Sequence, residues 1–371
     1  MKKLFSALMV LIFSMSMVFA QDLNAPINPD PNVKIGKLSN GMTYYIRANK
    51  KPEKRVEFRL AVNAGSCQEN EDQRGLAHFT EHMAFNGIKG YPHNTMISEL
   101  QKIGVTFGMG INAYTSFEET VYEITMPTDK PEYIQMGLNI LNGWANGLLY
   151  DGDEIESERG IIAEEYRMGL GASDRMQKKW FPVLFQGSRY AERVPIGLIE
   201  IINGFKHQTI KDFYKDWYRP DLQAVIVVGD IDVDAMEKQI IKQFSKIKPV
   251  KNPREKLPNN IQTNKEPLAV VATDKEAMGN TVMIVRKHPH FVMKTVGDYR
   301  TNLMYELYNT MYDSRLSEMT QKASCPFINA SCGYGGLIGN TDMYGCQIAC
   351  KEGKILESIE AMMREDQRVL Q

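Results

Sequence analysis

The first pattern along the chain differs from all that follow. Lys2-Lys3 precede an apolar run from Leu4 to Phe19 that only serines interrupt, and Ala20 ends it before Gln21-Asp22. A basic start, a short apolar stretch and a small final residue are the marks of a secretory signal peptide, here 1–20, cut after Ala20. The run is short for a spanning helix, which leaves an uncleaved anchor as the alternative. Residues 21–32, rich in Asn and Pro, read as an irregular lead-in.

Hydrophobic periodicity then predicts alternating strands and helices. Lys34 to Ala48 carries Asn40-Gly41 before a β-rich run, the signature of a hairpin turn feeding a strand. Val56 to Ala64 alternates apolar and polar residues, a second strand closed by Gly65-Ser66. After a charged loop, Glu69 to Arg74, a helix runs from near Arg74 to Gly87. Asn94 to Ile103 is helical, with Ile97, Leu100 and Ile103 on one side and Gly104 as its cap. Val105 to Ala113 reads as a glycine-broken strand and Glu119 to Met126 as a clean one. Pro131 opens a helix to about Leu149, and Asp153 to Met168 forms another. Leu170 to Asn203 is mixed, a loop-rich lid or connecting structure. Thr209 to Tyr218 is a helix and Ala224 to Gly229 a buried strand. Met236, Ile240, Phe244 and Ile247 form a core stripe on a helix over 232–247.

Four prolines, at 249, 253, 258 and 267, punctuate the polar stretch 248–267, the best domain boundary in the chain. Beyond it the pattern predicts strands near 268–273 and 280–286, a helix near 297–322, strands near 327–334 and 342–350, and a helix from about Lys354 whose period still runs at Gln371. This order echoes the first region.

Composition narrows the class. The chain has 371 residues, 43% hydrophobic and 24% charged, with net charge −1. That is globular, and it lacks the basic excess that nucleic acid demands. No later stretch is apolar enough to span a membrane, so after signal cleavage the protein is expected without a stable membrane anchor, periplasmic or secreted. The five cysteines include four beyond residue 320. Their spacing gives neither a disulfide framework nor a zinc knuckle, and pairing among Cys325, Cys332, Cys346 and Cys350 stays open.

The candidate chemistry lies in Gly75-Leu76-Ala77-His78-Phe79-Thr80-Glu81-His82-Met83. At about 100° per residue, His78, Glu81 and His82 share one helical face within an arc of about 100°. Two imidazoles at i and i+4 can hold one Zn²⁺ while the carboxylate reaches a water on it; this order is the inverzincin motif. Such a pair can also be a plain surface feature, but two of only six histidines fall here. In the helix over 153–168, Glu158 and Glu165 are seven apart and fall nearly on one line, where a carboxylate can complete a His₂Glu site. Acidic helix residues more often face water.

Together these motifs resemble the pitrilysin/insulinase family of inverzincin zinc metallopeptidases, in particular its bacterial exported members. The resemblance runs from about Asn32 to the end. It rests on Leu38-Ser39-Asn40-Gly41, Gly75 to Gly87, Asn112 to Tyr122, Glu158 to Met168, Trp217-Tyr218-Arg219-Pro220 and Val227-Val228-Gly229-Asp230. It implies an α+β fold: a catalytic zinc-peptidase domain, 33–247, with a mixed sheet and helices packed on one face, then a linker, 248–267, and a partial second domain of similar type, 268–371. It implies a zinc-dependent endopeptidase acting on peptides or unfolded polypeptides, with one Zn²⁺ per catalytic domain. His78 and His82 would be ligands, and Glu81 would activate the zinc-bound water. Local matching makes Glu165 the third ligand and Glu158 an accompanying catalytic carboxylate; counting along the chain instead favours Glu158 as ligand. Asn112 and Ala113 match an edge strand that pairs with peptide substrates. The regions that complete the family's chamber are absent, so a missing C-terminal half or a partner chain is expected to close it, and the activity of this chain alone is in doubt. The alternative is a non-catalytic peptide-binding or assembly subunit of the same fold.

Overall fold

A computed structural model describes residues 22–369; the signal-peptide reading of 1–20 lies outside them. The chain divides into two compact units, one spanning Asp30–Ala277 and the other built from Met278–Gln371 with the residues up to Pro29.

The larger unit is organised on a six-stranded sheet. Its strands are β1 (Val33–Lys37), β2 (Thr43–Ala48), β3 (Arg55–Val62), β6 (Ile111–Thr115), β7 (Thr120–Pro127) and β8 (Gln223–Gly229), in the order β1-β2-β8-β3-β7-β6. A separate two-stranded ribbon pairs β4 (Gly87–Ile88) with β5 (Tyr91–Pro92). In the large sheet every pairing is antiparallel except β2 with β8, so the sheet is mixed. Alternation decides which face is covered. Val56, Phe58, Leu60 and Val62 of β3 point to the core with Tyr122, Ile124 and Met126 of β7 and Val225 and Val227 of β8.

Helices pack over that face. Helix α1 (Leu76–Met83) lies against β6 and β7, α3 (Pro131–Asn146) against β3 and β7, and α8 (Val233–Phe244) against β2. Between them in sequence come α2 (Thr95–Lys102), α4 (Gly152–Gly169), α5 (Ala172–Leu184), α6 (Ile199–Gly204) and α7 (His207–Trp217). Pro131 starts α3 at a position that needs no backbone donor. The Asp151 side chain caps α4 by accepting from Asp153 N at 3.0 Å.

Three sequence expectations change. The stretch 170–203 contains α5, hidden in the sequence by Gly171 before it and Pro182 inside it. The strand expected from 105 begins only at Ile111, after a turn. Residues 268–273 form no strand, and Val271 is 86% exposed. The proline-rich stretch after α8 has no helix or strand, yet it is tied down. Leu257 N donates to Gln68 Oε1 at 2.9 Å, the Arg219 guanidinium donates to Arg254 O at 2.7 Å, and Arg175 grips Asp274 with two bonds of 2.6 and 2.8 Å. The compact boundary accordingly falls after Ala277.

The smaller unit has three antiparallel strands, β9 (Asn280–Pro289), β10 (Phe327–Ile338) and β11 (Thr341–Cys350), in the order β10-β11-β9. Helices α9 (Val296–Thr320) and α10 (Ile355–Val369) pack on it around Tyr312, Leu316, Phe327, Ile348 and Met362. Cys332 and Cys346 face each other in the β10–β11 register and are disulfide-bonded; Cys67, Cys325 and Cys350 are buried thiols. The lead-in belongs to this unit: Val296 N donates to Ala25 O and Gly297 N to Leu23 O. Among the described residues no helix is long and apolar enough to cross a membrane.

Candidate active site

Helix α1 is short, and its two ends are fixed by buried neighbours. Gly75 precedes it with φ +103°, and the backbone of Gly197 is pressed so close that a Cβ there would lie 2.3 Å from Gly75 Cα. Only glycines permit that approach. The carboxylate of Glu69, folded back over the helix start, accepts from Ala77 N at 2.8 Å. This is a cap supplied from outside the helix, and it satisfies one of the backbone donors that a helix start leaves unpaired. Burial pushes the Glu69 acid up to about 8 against these backbone bonds, and its second oxygen is buried without a hydrogen-bond partner.

Leu76, Phe79 and Met83 form the apolar stripe of α1. They pack with Ile155 and Ile162 of α4, Ile202 of α6 and Phe205. The same rotation that buries that stripe turns His78, Glu81 and His82 together to one side. Ile155 and Ile162 are themselves seven apart, and their burial points the neighbouring Glu158 and Glu165 towards the histidines.

Two imidazole nitrogens and one carboxylate meet there. His78 Nε2 lies 3.2 Å from His82 Nε2. Glu165 places Oε1 3.7 Å from His78 Nε2 and Oε2 3.6 Å from His82 Nε2. These three donors form a metal-capable group. The fit to zinc is geometric. A tetrahedral ion with bonds of about 2.0–2.2 Å has ligand–ligand edges of roughly 3.3–3.6 Å, and the two imidazole nitrogens, each with the Glu165 oxygen nearest to it, lie close to that spacing.

Glu158 is placed differently. Its Oε1 is 2.7 Å from His82 Nδ1, on the far side of the ring from the cluster. Its Oε2 accepts from Asn86 Nδ2 at 2.5 Å. Glu81 is 8% exposed, and Oε2 accepts from Thr115 Oγ1 at 2.5 Å. Burial raises the Glu81 acid above its ordinary value, partly offset by the Thr115 bond and the nearby His82. Burial, aided by His82, drives His78 down to about 3, which keeps it neutral and able to bind metal. Burial pulls on His82 as well, but the Glu158 hydrogen bond and the charges of Glu158, Glu81 and Glu165 outweigh it and leave His82 above its usual value.

Asn112 and Ala113 lie on β6, which ends the sheet and pairs with β7; among the described residues it is otherwise joined only by an isolated bridge between Phe107 and Ile111. Asn112 is exposed and Ala113 half-buried. Thr115 is two residues beyond Ala113 on the same strand, so the free edge runs beside Glu81. Sequence reasoning assigned no role to Thr115, Asn86 or Glu69. Each lies inside a segment it read, but only a three-dimensional contact singles it out.

Comparison with known proteins places this geometry. Residues 44–177 match the family model described as insulinase (peptidase family M16), and residues 204–309 match the M16 inactive domain. The chain is 40% identical over 261 residues to a probable zinc protease, PqqL, of Haemophilus influenzae, covering 69% of this chain and 28% of that protein. It is 33% identical over 363 residues to a zinc protease PQQL-like of Arabidopsis thaliana, covering 96% of this chain and 37% of that protein. The crystal structure of the first half of the periplasmic protease PqqL from Escherichia coli superposes with a TM-score of 0.83 at 27% identity, covering 92% of this chain and 73% of that one. The chain thus spans about a third of the length of these curated relatives. With two family models of one group matched in order across the sheet and beyond it, the chain belongs to the pitrilysin/insulinase (M16) family of peptidases.

Proposed function

We propose that the chain carries the zinc site of an exported endopeptidase that cuts peptides or unfolded polypeptides. The observation that carries this reading is the convergence of His78 Nε2, His82 Nε2 and a Glu165 oxygen beside the buried carboxylate of Glu81. His78, His82 and Glu165 would hold the ion. Zinc bound there would supply a Lewis acid that polarises the scissile carbonyl and acidifies water.

The remaining roles belong to the chain's own side chains. Glu81 is the general base: its carboxylate takes the proton of the attacking water and later returns it to the leaving amine. Thr115 holds Oε2 of that carboxylate, which fixes the other oxygen for the proton. Glu158 accepts from Nδ1 of His82, so the lone pair of Nε2 stays directed into the cluster. Asn86 steadies the second oxygen of Glu158. The open edge of β6 at Asn112 and Ala113 offers backbone donors and acceptors to an extended peptide, which selects for unfolded segments over particular side chains.

The test is Glu81→Gln. The variant should bind zinc as the parent does and cleave a quenched peptide at no measurable rate. Cleavage at the parental rate would remove Glu81 as the base, and parental cleavage that chelators leave untouched would remove the metal reading altogether.

A further inference from the structure

Helix α6 has only six residues, Ile199–Gly204, too few to be stable alone. It stands between the two helices that bring the metal-capable group together. On one side it is locked to α1. Leu198 N donates to Arg74 O at 3.3 Å, Gly197 is pressed against Gly75, and Ile202 packs with Leu76 and Phe79. The ring of Phe205, just past the end of α6, meets the Phe79 ring edge to face with centroids 4.9 Å apart. Phe79 directly follows His78.

On the other side one residue of α4 grips the short helix. Arg159 Nη1 donates to Ile202 O at 2.5 Å and Nη2 to Phe205 O at 2.7 Å, carbonyls that a helix end leaves without internal partners. The guanidinium lies over the Phe205 ring, 3.9 Å from its centroid. Nε donates to Glu156 Oε2 at 3.1 Å, which holds the fork in place. The side chain is 12% exposed. Arg159 follows Glu158 directly and lies six residues before Glu165.

Helices α1 and α4 also meet through Leu76, Phe79, Met83, Ile155 and Ile162. Apolar contact is non-directional, so that seam holds the helices together without fixing how α4 slides or rolls along it. Ligand atoms need a tolerance of about 0.5 Å. The two carbonyl bonds and the stacked ring are directional, and they supply the register that the apolar seam lacks.

We infer that Arg159 is a positioning residue for the metal site: it sets α4 on the bridge of α6 and Phe205 so that Glu165 reaches His78 and His82. The inference rests on the reading of those three side chains as zinc ligands. The partners of Arg159 are Glu156, Ile202 and Phe205, none of them a ligand, so it acts through the placement of the helix.

Titration of the metal-free chain with zinc against a chromogenic chelator tests this, with denaturant unfolding in excess chelator measured beside it. The parent should bind one zinc. Arg159→Lys keeps the charge and breaks the planar fork; it should bind zinc about tenfold more weakly, the lower end of the effect of outer partners at metal sites. Ile240→Val trims the buried sheet core under α8 and leaves α4 alone; it should lower the unfolding midpoint and keep parental zinc affinity. Phe205→Leu keeps an apolar side chain and removes the stacked ring, so it should weaken zinc as well. The double variant Arg159→Lys/Phe205→Leu should lose less than the product of the two single losses, because both act through one bridge. Parental affinity in Arg159→Lys, an equal loss in Ile240→Val, or a double variant that loses the full product would overturn the inference. A parent that binds no zinc would instead overturn the ligand reading on which it rests.

Discussion

His82 uses its two ring nitrogens on two different glutamates: Nδ1 lies 2.7 Å from Glu158 Oε1, while Nε2 faces the cluster, 3.6 Å from Glu165 Oε2. The seven-residue spacing that puts both acids on one line of α4 also separates their tasks, because the helix rises about 10 Å between them. One acid reaches the open side of the imidazole and the other its back.

The first prediction follows from that division. Glu165→Ala should abolish stoichiometric zinc binding. Glu158→Gln should keep the ion but weaken it about 10- to 100-fold, the usual effect of removing an outer partner of a ligating histidine. A competition titration with a chromogenic chelator measures both. The reverse ranking would make Glu158 the ligand.

Thr115→Val tests the positioning of the base. The substitution keeps the shape of the side chain and removes the bond to Glu81. A hydrogen bond to a charged group contributes about 1.5–3 kcal/mol, so kcat should fall by about tenfold or more with zinc content and KM unchanged. The Thr115 bond lowers the Glu81 acid, so its loss should move the acid limb of the pH profile to higher pH. An unchanged profile together with an unchanged kcat would leave Thr115 without this role.

Sequence periodicity defines much of this fold and falls silent at identifiable places. The spacing of His78, Glu81 and His82 defines a helical face without any tertiary information, and the alternation in Val56–Val62 and Thr120–Met126 reports a sheet covered on one side. The choice between Glu158 and Glu165 was not legible, because it depends on which nitrogen of His82 each acid meets. Helix α5 was obscured because Gly171 and Pro182 are breakers locally, although tertiary packing around Phe181 tolerates them. The apolar run at 268–273 has the pattern of a strand but finds no pairing partner among the described residues. By sequence Glu69 is one more acid of a charged loop, since a carboxyl that caps a helix from eight residues away leaves no local signature.

Glu69 also gives a prediction about stability. Its acid lies at about 8 in the fold against an ordinary value of 4.5, through burial. A raised carboxylic acid favours the folded state fully below about pH 4.5, and that contribution is lost as pH rises through about 8. The loss is on the order of a few kcal/mol. Denaturant unfolding in chelator should therefore show the parent weakening between pH 5 and pH 9 more steeply than Glu69→Gln. Parallel curves for the two would contradict a neutral, buried Glu69.

Metal removal should separate chemistry from folding. Among the described residues the one metal-capable group is His78, His82 and Glu165, and the core around Phe58, Tyr122 and Trp144 is built from other, hydrophobic side chains. Chelation should therefore lower the thermal midpoint only by the linkage term of a bound ion and leave a cooperative transition. Loss of that transition on chelation would mark zinc as a structural element.

The most direct measurement is anomalous diffraction at the zinc edge from crystals of the chain grown with one equivalent of zinc. The account predicts a single peak about 2.0–2.2 Å from His78 Nε2, His82 Nε2 and a Glu165 oxygen, with Glu158 remaining on Nδ1 of His82. A peak bound by Glu158 in place of Glu165, or no peak at these histidines, would contradict it.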